Sequence, residues 1–416
     1  MKLFRNKESL NTFSICAITI GPSINFFSNV LIKYVIGGRS ISSTIYMVLA
    51  LFGLMSYELL LGNKYKNNKV VITIIVTFFL LLISGLIHPS IWHNIISDDF
   101  NPLGSVGLFL VFYGFPVMIL CSEQKKWDLL LKYMYYFSIV DIVLATIVYF
   151  RVMIPFGMEA VNYMSFSYNQ LLSASVCAVY GYKNKSVLAY GVSAISLILI
   201  FFGGARGTLV CLLFLYILLS INKISFRKAI AVMILFFVVF TFGVNKLFDV
   251  FLTTSGSYVE NLGGFSRTLY LMTQGDLLES SGRDDFHSII QDAIVQNPLG
   301  YGMLGDRYVL GQHGGEGYAH NLIWEFLCDF GLIFGGVLFF ALVYGMLRVY
   351  KKCKEMPVYY CFLAMLPAGF VMLFMSGSFL EEFAFWALLG VLYNTSSKSS
   401  RSIQTLMTQK NVVDIC

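Results

Sequence analysis

Residues Ser280–Gly331 read SSGRDDFHSIIQDAIVQNPLGYGMLGDRYVLGQHGGEGYAHNLIWEFLCDFG. They form the centre of the only long polar interval in a chain that is otherwise almost entirely apolar. Three of the five histidines lie here, His287, His313 and His320, with Arg283 and Arg307. Outside the interval, the 416 residues are dominated by long apolar runs; the whole chain is 57% hydrophobic and 12% charged, with mean hydropathy +0.73. A soluble domain carries about 25% charged residues. The composition therefore predicts an all-α fold, a polytopic transmembrane helical bundle. Chemistry is expected in the one place where ionisable groups gather outside the apolar runs.

Each span needs roughly 20 mostly apolar residues. Twelve windows qualify: 11–32, 41–61, 70–87, 103–121, 128–149, 163–181, 187–203, 207–221, 229–245, 321–347, 357–376 and 379–394. The first is interrupted by Pro22 and Asn25, and the seventh and eighth nearly touch at Gly203-Gly204-Ala205-Arg206-Gly207. Apolar runs this long, without a small-x-small cleavage site after the first, read as an uncleaved first span rather than a signal peptide. The chain is expected to be one integral membrane domain over 1–416, with residues 246–320 forming a large extracytoplasmic loop that contains short helices. No internal repeat, soluble end domain or low-complexity segment is visible.

Loop charge gives the orientation. Lys2, Arg5 and Lys7, then Lys64, Lys66 and Lys69, Lys125 and Lys126, Lys183 and Lys185, Lys223, Arg227 and Lys228, and finally Arg348 to Lys354 fall at the N-terminus and in alternate loops. The third loop, 88–101, has no Lys or Arg and carries Asp98 and Asp99. The alternation predicts both termini cytoplasmic and the large loop extracytoplasmic. The formal charge of +6 resides in these short loops, so nucleic acid is not an expected partner. The eight cysteines contain no CxxC pair and read as apolar fillers, with neither a zinc site nor a disulfide framework.

Within the loop, Ser281 to Asp284 fits a capping box. Phe286, Ile289, Ile290, Ala293 and Ile294 form an apolar stripe. Arg283 and His287, four residues apart, share a helical face. The sequence predicts an amphipathic helix lying on the outer membrane surface and ending at Asn297-Pro298. Gly300 to Gly305 matches GxGxxG, but a helix and a proline precede it where a dinucleotide site needs a strand, so it reads as a tight irregular turn. The glycines from 311 to 317 surround His313 and Glu316 and suit a gate over a site or a plain mobile loop.

His320-Asn321 then opens the tenth span, with Asn321 as N-cap and Glu325 near the positive dipole end. The eighth span opens at Arg206-Gly207-Thr208 and points the same way. Two helix N-termini beside basic side chains suit an anion, phosphate above all. The candidate catalytic residues are His320, Arg283 and Arg206; candidate substrate-binding residues are Asn321, Arg307, His313, His287 and Gly207. Plainer readings exist for each: a snorkelling Arg206, Arg283 paired with Asp284, Asp285 or lipid headgroups, Arg307 paired with Asp306, and His320 as a helix cap. Asp141 lies deep in the fifth span, and Asp98, Asp99, Glu381 and Glu382 form an acidic outer wall without metal-ligand spacing.

Several of these features together resemble the O-antigen polymerase/ligase superfamily (Wzy and WaaL type), membrane glycosyltransferases of bacterial polysaccharide assembly. They are Gly204-Ala205-Arg206-Gly207, Ser281-Gly-Arg283, Asn297-Pro298-Leu-Gly300-Tyr-Gly302, and Ala319-His320-Asn321 running into Phe330-Gly331-Leu332. The chain departs from the family's pattern at His287, often aromatic there, and at Asp329, often Glu. The resemblance implies transfer of a growing glycan from undecaprenyl pyrophosphate to an acceptor repeat unit on the outer face of the membrane, with no cofactor. It implies a lipid-linked oligosaccharide and membrane lipid as partners, with a chain-length regulator and a flippase as further candidates.

The residues fit that reaction. A diphosphate leaving group gains charge in the transition state, and arginine can meet it without a metal. The acceptor hydroxyl needs a base, and a histidine can serve. Two alternative activities are a ligase acting on lipid A core and a polysaccharide transporter or flippase. Against transport, no matched pair of broken helices recurs in two halves. A membrane assembly partner without catalysis is the plainest reading.

Overall fold

The computed structural model describes residues 7–38, 42–58, 67–96, 105–156, 160–221, 283–315 and 317–396. Every regular element among them is helical. In chain order they are α1 (Lys7–Thr19), α2 (Gly21–Leu31), α3 (Ser42–Leu54), α4 (Asn68–Ile87), α5 (Val106–Ser122), α6 (Trp127–Phe156) and α7 (Tyr163–Asn184). There follow α8 (Val187–Gly203), α9 (Arg206–Ile221), α10 (Arg283–Gln296), α11 (Gly305–Gln312), α12 (Leu322–Lys352), α13 (Pro357–Phe374) and α14 (Phe383–Ser396).

Among the described residues, α4, α6, α12 and α13 are long and apolar enough to cross a membrane. Residues Glu8–Thr19 and Gly21–Ile36 add a fifth if they count as one span bent by 52°. The bend falls at Pro22, whose missing N–H interrupts the helix ladder. Helices α5, α8, α9 and α14 are apolar but shorter. Among the described residues, length and composition thus support four or five crossings and do not confirm the twelve-span count. The window at 229–245 lies outside the described residues. Large apolar side chains face outward along the long helices, with Ile75 61%, Phe79 59%, Val140 50%, Ile333 81% and Phe340 72% exposed. So much exposed apolar surface marks a membrane-embedded protein.

The core is drawn from α1, α5, α6, α7, α13 and α14. Helix α7 is polar along its buried side, with Ser167, Gln170, Ser173 and Ser175 fully buried. Asp141 on α6 is fully buried too, and its carboxylate accepts from Ser23 Oγ at 2.5 Å and Ser173 Oγ at 2.6 Å. These bonds offset the cost of burying the acid between helices, so Asp141 acts as a tie among α2, α6 and α7.

The helices define two ends. At one, Lys69 Nζ donates to Ser396 Oγ (3.2 Å), Asn394 Nδ2 donates to the Ser122 carbonyl (2.8 Å), Lys126 pairs with Glu8 and Lys183 with Asp128. At the other, His88 after α4 meets the Tyr301 carbonyl (2.9 Å), and Asn321 before α12 donates to the Phe374 carbonyl (3.2 Å). The lysines gather at the first end and the polar interval at the second.

Candidate functional site

The site begins with a break in α12. Gly331 has φ 78° and ψ 170° inside that helix. The break frees the carbonyls of Cys328 and Asp329, which accept from Tyr301 N and Gly302 N at 2.9 Å each. Leu332 N in turn donates to the Pro298 carbonyl at 2.9 Å. The Pro298–Gly302 loop is therefore stitched into the helix like a short strand. It fits because there is no Cβ at the crossing: one on Gly300 would stand 2.4 Å from Gly331 N, and one on Gly331 2.5 Å from the Leu299 carbonyl carbon. The irregular turn expected at Gly300 to Gly305 is present, with Gly300 and Gly302 both at positive φ.

The first two turns of α12 bury one face, Leu322, Glu325, Phe326, Cys328 and Asp329. Two carboxylates lie on that face, Glu325 1% and Asp329 2% exposed. Each is satisfied by donors from another segment. Asp329 accepts from Leu304 N and Asp306 N, both 3.1 Å, and so caps α11. Glu325 accepts from Ser378 Oγ and from Phe379 N at 3.3 Å. Asp306, fully buried, accepts from Arg307 N and Ala319 N, both 2.8 Å. Burial pushes the Asp306 carboxyl above its ordinary range, against the pull of Arg307 and the two N–H groups.

Arg307 pairs with Glu381, Nη2 to Oε2 at 2.9 Å and Nη1 to Oε1 at 3.3 Å, its side chain 9% exposed. Burial disfavours the guanidinium charge, but Glu381 and Asp306 outweigh it and hold its pKa above the ordinary value. The pairing of Arg307 with Asp306 is thereby corrected: the adjacent carboxylate is committed to two backbone N–H groups, and the guanidinium reaches 74 residues along the chain instead. Glu381 is correspondingly a pairing partner and not a free member of an acidic wall; Asp98 and Asp99 lie outside the described residues.

Asp306 thus pins Ala319, the residue before His320. His320 adopts φ 53°, a left-handed conformation uncommon outside glycine. Its ring lies 4.2 Å from that of Tyr318, and parallel to that of Phe286 at 6.3 Å with a 5° tilt. Tyr318 hydrogen-bonds with Ser376 and stands under the Arg307 guanidinium at 5.8 Å; burial raises its phenol above the ordinary range. Asn321 is the N-cap foreseen, accepting from Ile323 N at 2.9 Å.

Phe286 belongs to α10, so that helix is brought against His320. Arg283 is the first residue of α10, one turn from Phe286. Residues 280–282, and with them the Ser281 capping box, lie outside the described residues. Ile290, Ala293 and Ile294 pack with Val309, Leu310, Ala319 and Cys328. The apolar stripe of α10 therefore faces α11 and α12 and not the membrane surface. Fully burying an isoleucine stabilises such a contact by about 1.5–3 kcal/mol.

Arg206 starts α9 after Gly204, which closes α8 at φ 87°. A Cβ on Gly207 would meet Met375 Cβ and Tyr168 Oη, both at 3.0 Å. The 374–378 segment thus touches Gly207, Asn321, Glu325 and Tyr318. It gathers the start of α9 and the His320–Asn321 turn into one neighbourhood. His287 is half-buried on α10, and its Nε2 has no hydrogen-bond partner among the described residues. His313 is exposed at the end of α11, its Nδ1 bonded to the Val309 carbonyl at 2.9 Å, and does not join the cluster.

Sequence reasoning missed His88, which stacks on Tyr308 at 3.9 Å, and the carboxylates of Asp306, Glu325 and Asp329 as a bonded set. The spacing of Glu325 and Asp329, four apart on an otherwise apolar face, was the available signal. Among the described residues no three His, Cys, Asp or Glu side chains are grouped to hold a metal ion.

Residues 191–340 match the family model described as O-antigen ligase. Neither a curated protein nor a solved structure matches the chain. The matched stretch contains Arg206, the Arg283 helix, the glycine loop and His320–Asn321, and it supports an O-antigen ligase/polymerase type of function. The match over residues 191–340 supports the resemblance to the O-antigen polymerase/ligase superfamily.

Proposed function

We propose that the protein is a polymerase of lipid-linked oligosaccharide repeat units, an inner-membrane glycosyltransferase whose site faces the extracytoplasmic side. The donor is the growing glycan on undecaprenyl pyrophosphate, and the acceptor is one further lipid-linked repeat. The observation that supports this reading is that residues 374–378 touch Gly207 at the α9 start and Asn321, while Phe286, one turn into α10, stacks on His320. On this reading, the segments that begin at Arg206, Arg283 and His320 serve one site.

The chemistry follows from the residues. His320 takes the proton from the acceptor hydroxyl, whose oxygen attacks the anomeric carbon. The bond from that carbon to the diphosphate oxygen breaks, and the electron pair leaves with the diphosphate. Arg206 and Arg283 meet the added negative charge with planar donor pairs. Asn321 and Gly207 border the space. His287, on the same helix as Arg283, is placed to touch substrate. The buried Arg307 supports the site through Glu381 and Tyr318, and the exposed His313 contacts substrate at most from the loop edge. A flippase and a chain-length regulator are companions of such a reaction.

The description of the matched family favours a second reading, ligase transfer of a finished glycan to lipid A core. A deletion in the host, followed by a gel of surface glycan, separates the two. Loss of the long ladder with one repeat retained identifies the polymerase. Loss of all attached repeats, with long lipid-linked polymer accumulating, identifies the ligase. An unchanged ladder removes both.

A further inference from the structure

A cavity of about 490 Å³ lies between α4, α12 and α14, running from Phe326 and Phe379, beside the buried Glu325, to the lysine-bearing end. Its volume falls within the roughly 300–1,000 Å³ of small-molecule sites. Its walls are apolar over most of their length, from Phe330 and Phe334 through Leu338 to Leu389 and Leu392. Several lining residues are open to the bilayer, Ile72 59% and Phe334 54% exposed. Charged groups collect at one end only. There Lys69 and Arg348 stand beside the hydroxyls of Thr395 and Ser396. This is the end opposite His88 and Asn321, since Lys69 and Arg348 sit at the far ends of α4 and α12.

The two cations differ from their neighbours. Lys126 is paired with Glu8 and Lys183 with Asp128. Among the described residues, neither Lys69 nor Arg348 has a carboxylate partner; Lys69 donates only to Ser396 Oγ. Midway, the Thr73 and Tyr393 hydroxyls bond to each other at 2.6 Å. A long apolar trough, with two cations at its rim that no carboxylate among the described residues pairs, suits a molecule with a hydrocarbon chain and an anionic head.

We propose that this groove binds an anionic phospholipid of the adjacent leaflet. Lys69 and Arg348 hold its phosphate, and one acyl chain lies between α12 and α14. Long basic side chains at span ends reach the headgroup layer, and anionic lipid is attracted there. The groove below supplies the specificity that surface charge alone lacks. The proposal is independent of the glycosyl-transfer reading, because no lipid-facing residue it uses belongs to that site.

The test uses the full chain, delipidated in neutral detergent, with phosphatidylglycerol and phosphatidylcholine of identical chains titrated separately. The expected result is a saturable rise in thermal midpoint with phosphatidylglycerol only. Removing Lys69 or Arg348 as alanine should weaken the half-saturating concentration roughly fivefold each. Ala341→Trp, which fills the trough, should abolish the rise while leaving both cations. Should a variant fail to fold, native mass spectrometry of the unaltered protein in a mixture of both lipids gives the same discrimination. Equal effects of the two lipids, or a rise retained in the Lys69→Ala/Arg348→Ala double variant, overturn the proposal. So does protection by glycerol phosphate alone, which marks a chain-independent anion site. Protection by a polyprenyl phosphate at lower concentration than phosphatidylglycerol reassigns the groove to a carrier lipid and overturns it as well.

Discussion

His320 and His313 lie seven residues apart in the same glycine-rich stretch and meet different fates. The first is wedged between aromatic rings beside a backbone bond to Asp306; the second is exposed and turned to the end of its own helix. A general base contributes about 10²–10⁴-fold to a rate. His320→Ala should therefore remove the glycan ladder, and His313→Ala should leave it near wild type, as read on a gel of surface glycan. Equal activity of the two variants excludes His320 as the base. Arg206→Ala and Arg283→Ala should each stop chain growth by about 10²–10³-fold while single repeats are still delivered. Wild-type chain length with either change removes that arginine from the site.

Asp306 is legible at this scale only in part. Its neighbour Arg307 invites a local ion pair, yet backbone N–H groups take the carboxylate. Because its pKa is raised in the folded chain, the sign is that of a group whose stabilisation is complete below the ordinary value of 3.8 and is lost as pH rises through the raised one. Asp306→Asn keeps an acceptor at the position without a charge. The thermal stability of wild type relative to Asp306→Asn should fall as pH increases across that interval. A difference independent of pH would show that the carboxyl titrates as it does in the unfolded chain.

At the scale of elements, the crossing of the Pro298–Gly302 loop with the break in α12 is the decisive contact. Backbone at φ 78°, ψ 170° is nearly reserved for glycine and costs other residues about 1–3 kcal/mol. Gly331→Ala adds a Cβ 2.5 Å from the Leu299 carbonyl. It should lower stability by at least that amount and loosen α11 and α10 together. A thermal midpoint unchanged by Gly331→Ala would count against the crossing. Periodicity shows where α10 ends and that Gly300 to Gly305 turns, because those depend on neighbours in sequence. It could not show that α10 packs on α11 and α12, because an apolar stripe looks the same whether it meets lipid or protein. Nor could it show that Arg307 reaches Glu381.

At the scale of the whole molecule, the helical class was readable from composition, and the grouping of lysines at one end agrees with the alternation of loop charge. The number of crossings was less readable, because α8, α9 and α14 are apolar but too short to be told from re-entrant or partly spanning segments. The orientation can be measured. With the site extracytoplasmic, Gly314→Cys should react with a membrane-impermeant thiol reagent in intact cells, and Lys125→Cys should react only after permeabilisation. The reverse pattern would invert the proposed topology.

The interruption at Gly331 also separates two kinds of tolerance along a single rod. Above it, each residue inserted would rotate Glu325 and Asp329 by about 100°, swinging both acids away from the donors of two distant segments. Below it, the same insertion turns the buried Leu342, Met346 and Val349 and the groove residue Arg348 out of place, but breaks no hydrogen bond of a buried acid. Length variation in this helix should therefore be purged most strongly between Leu322 and Phe330.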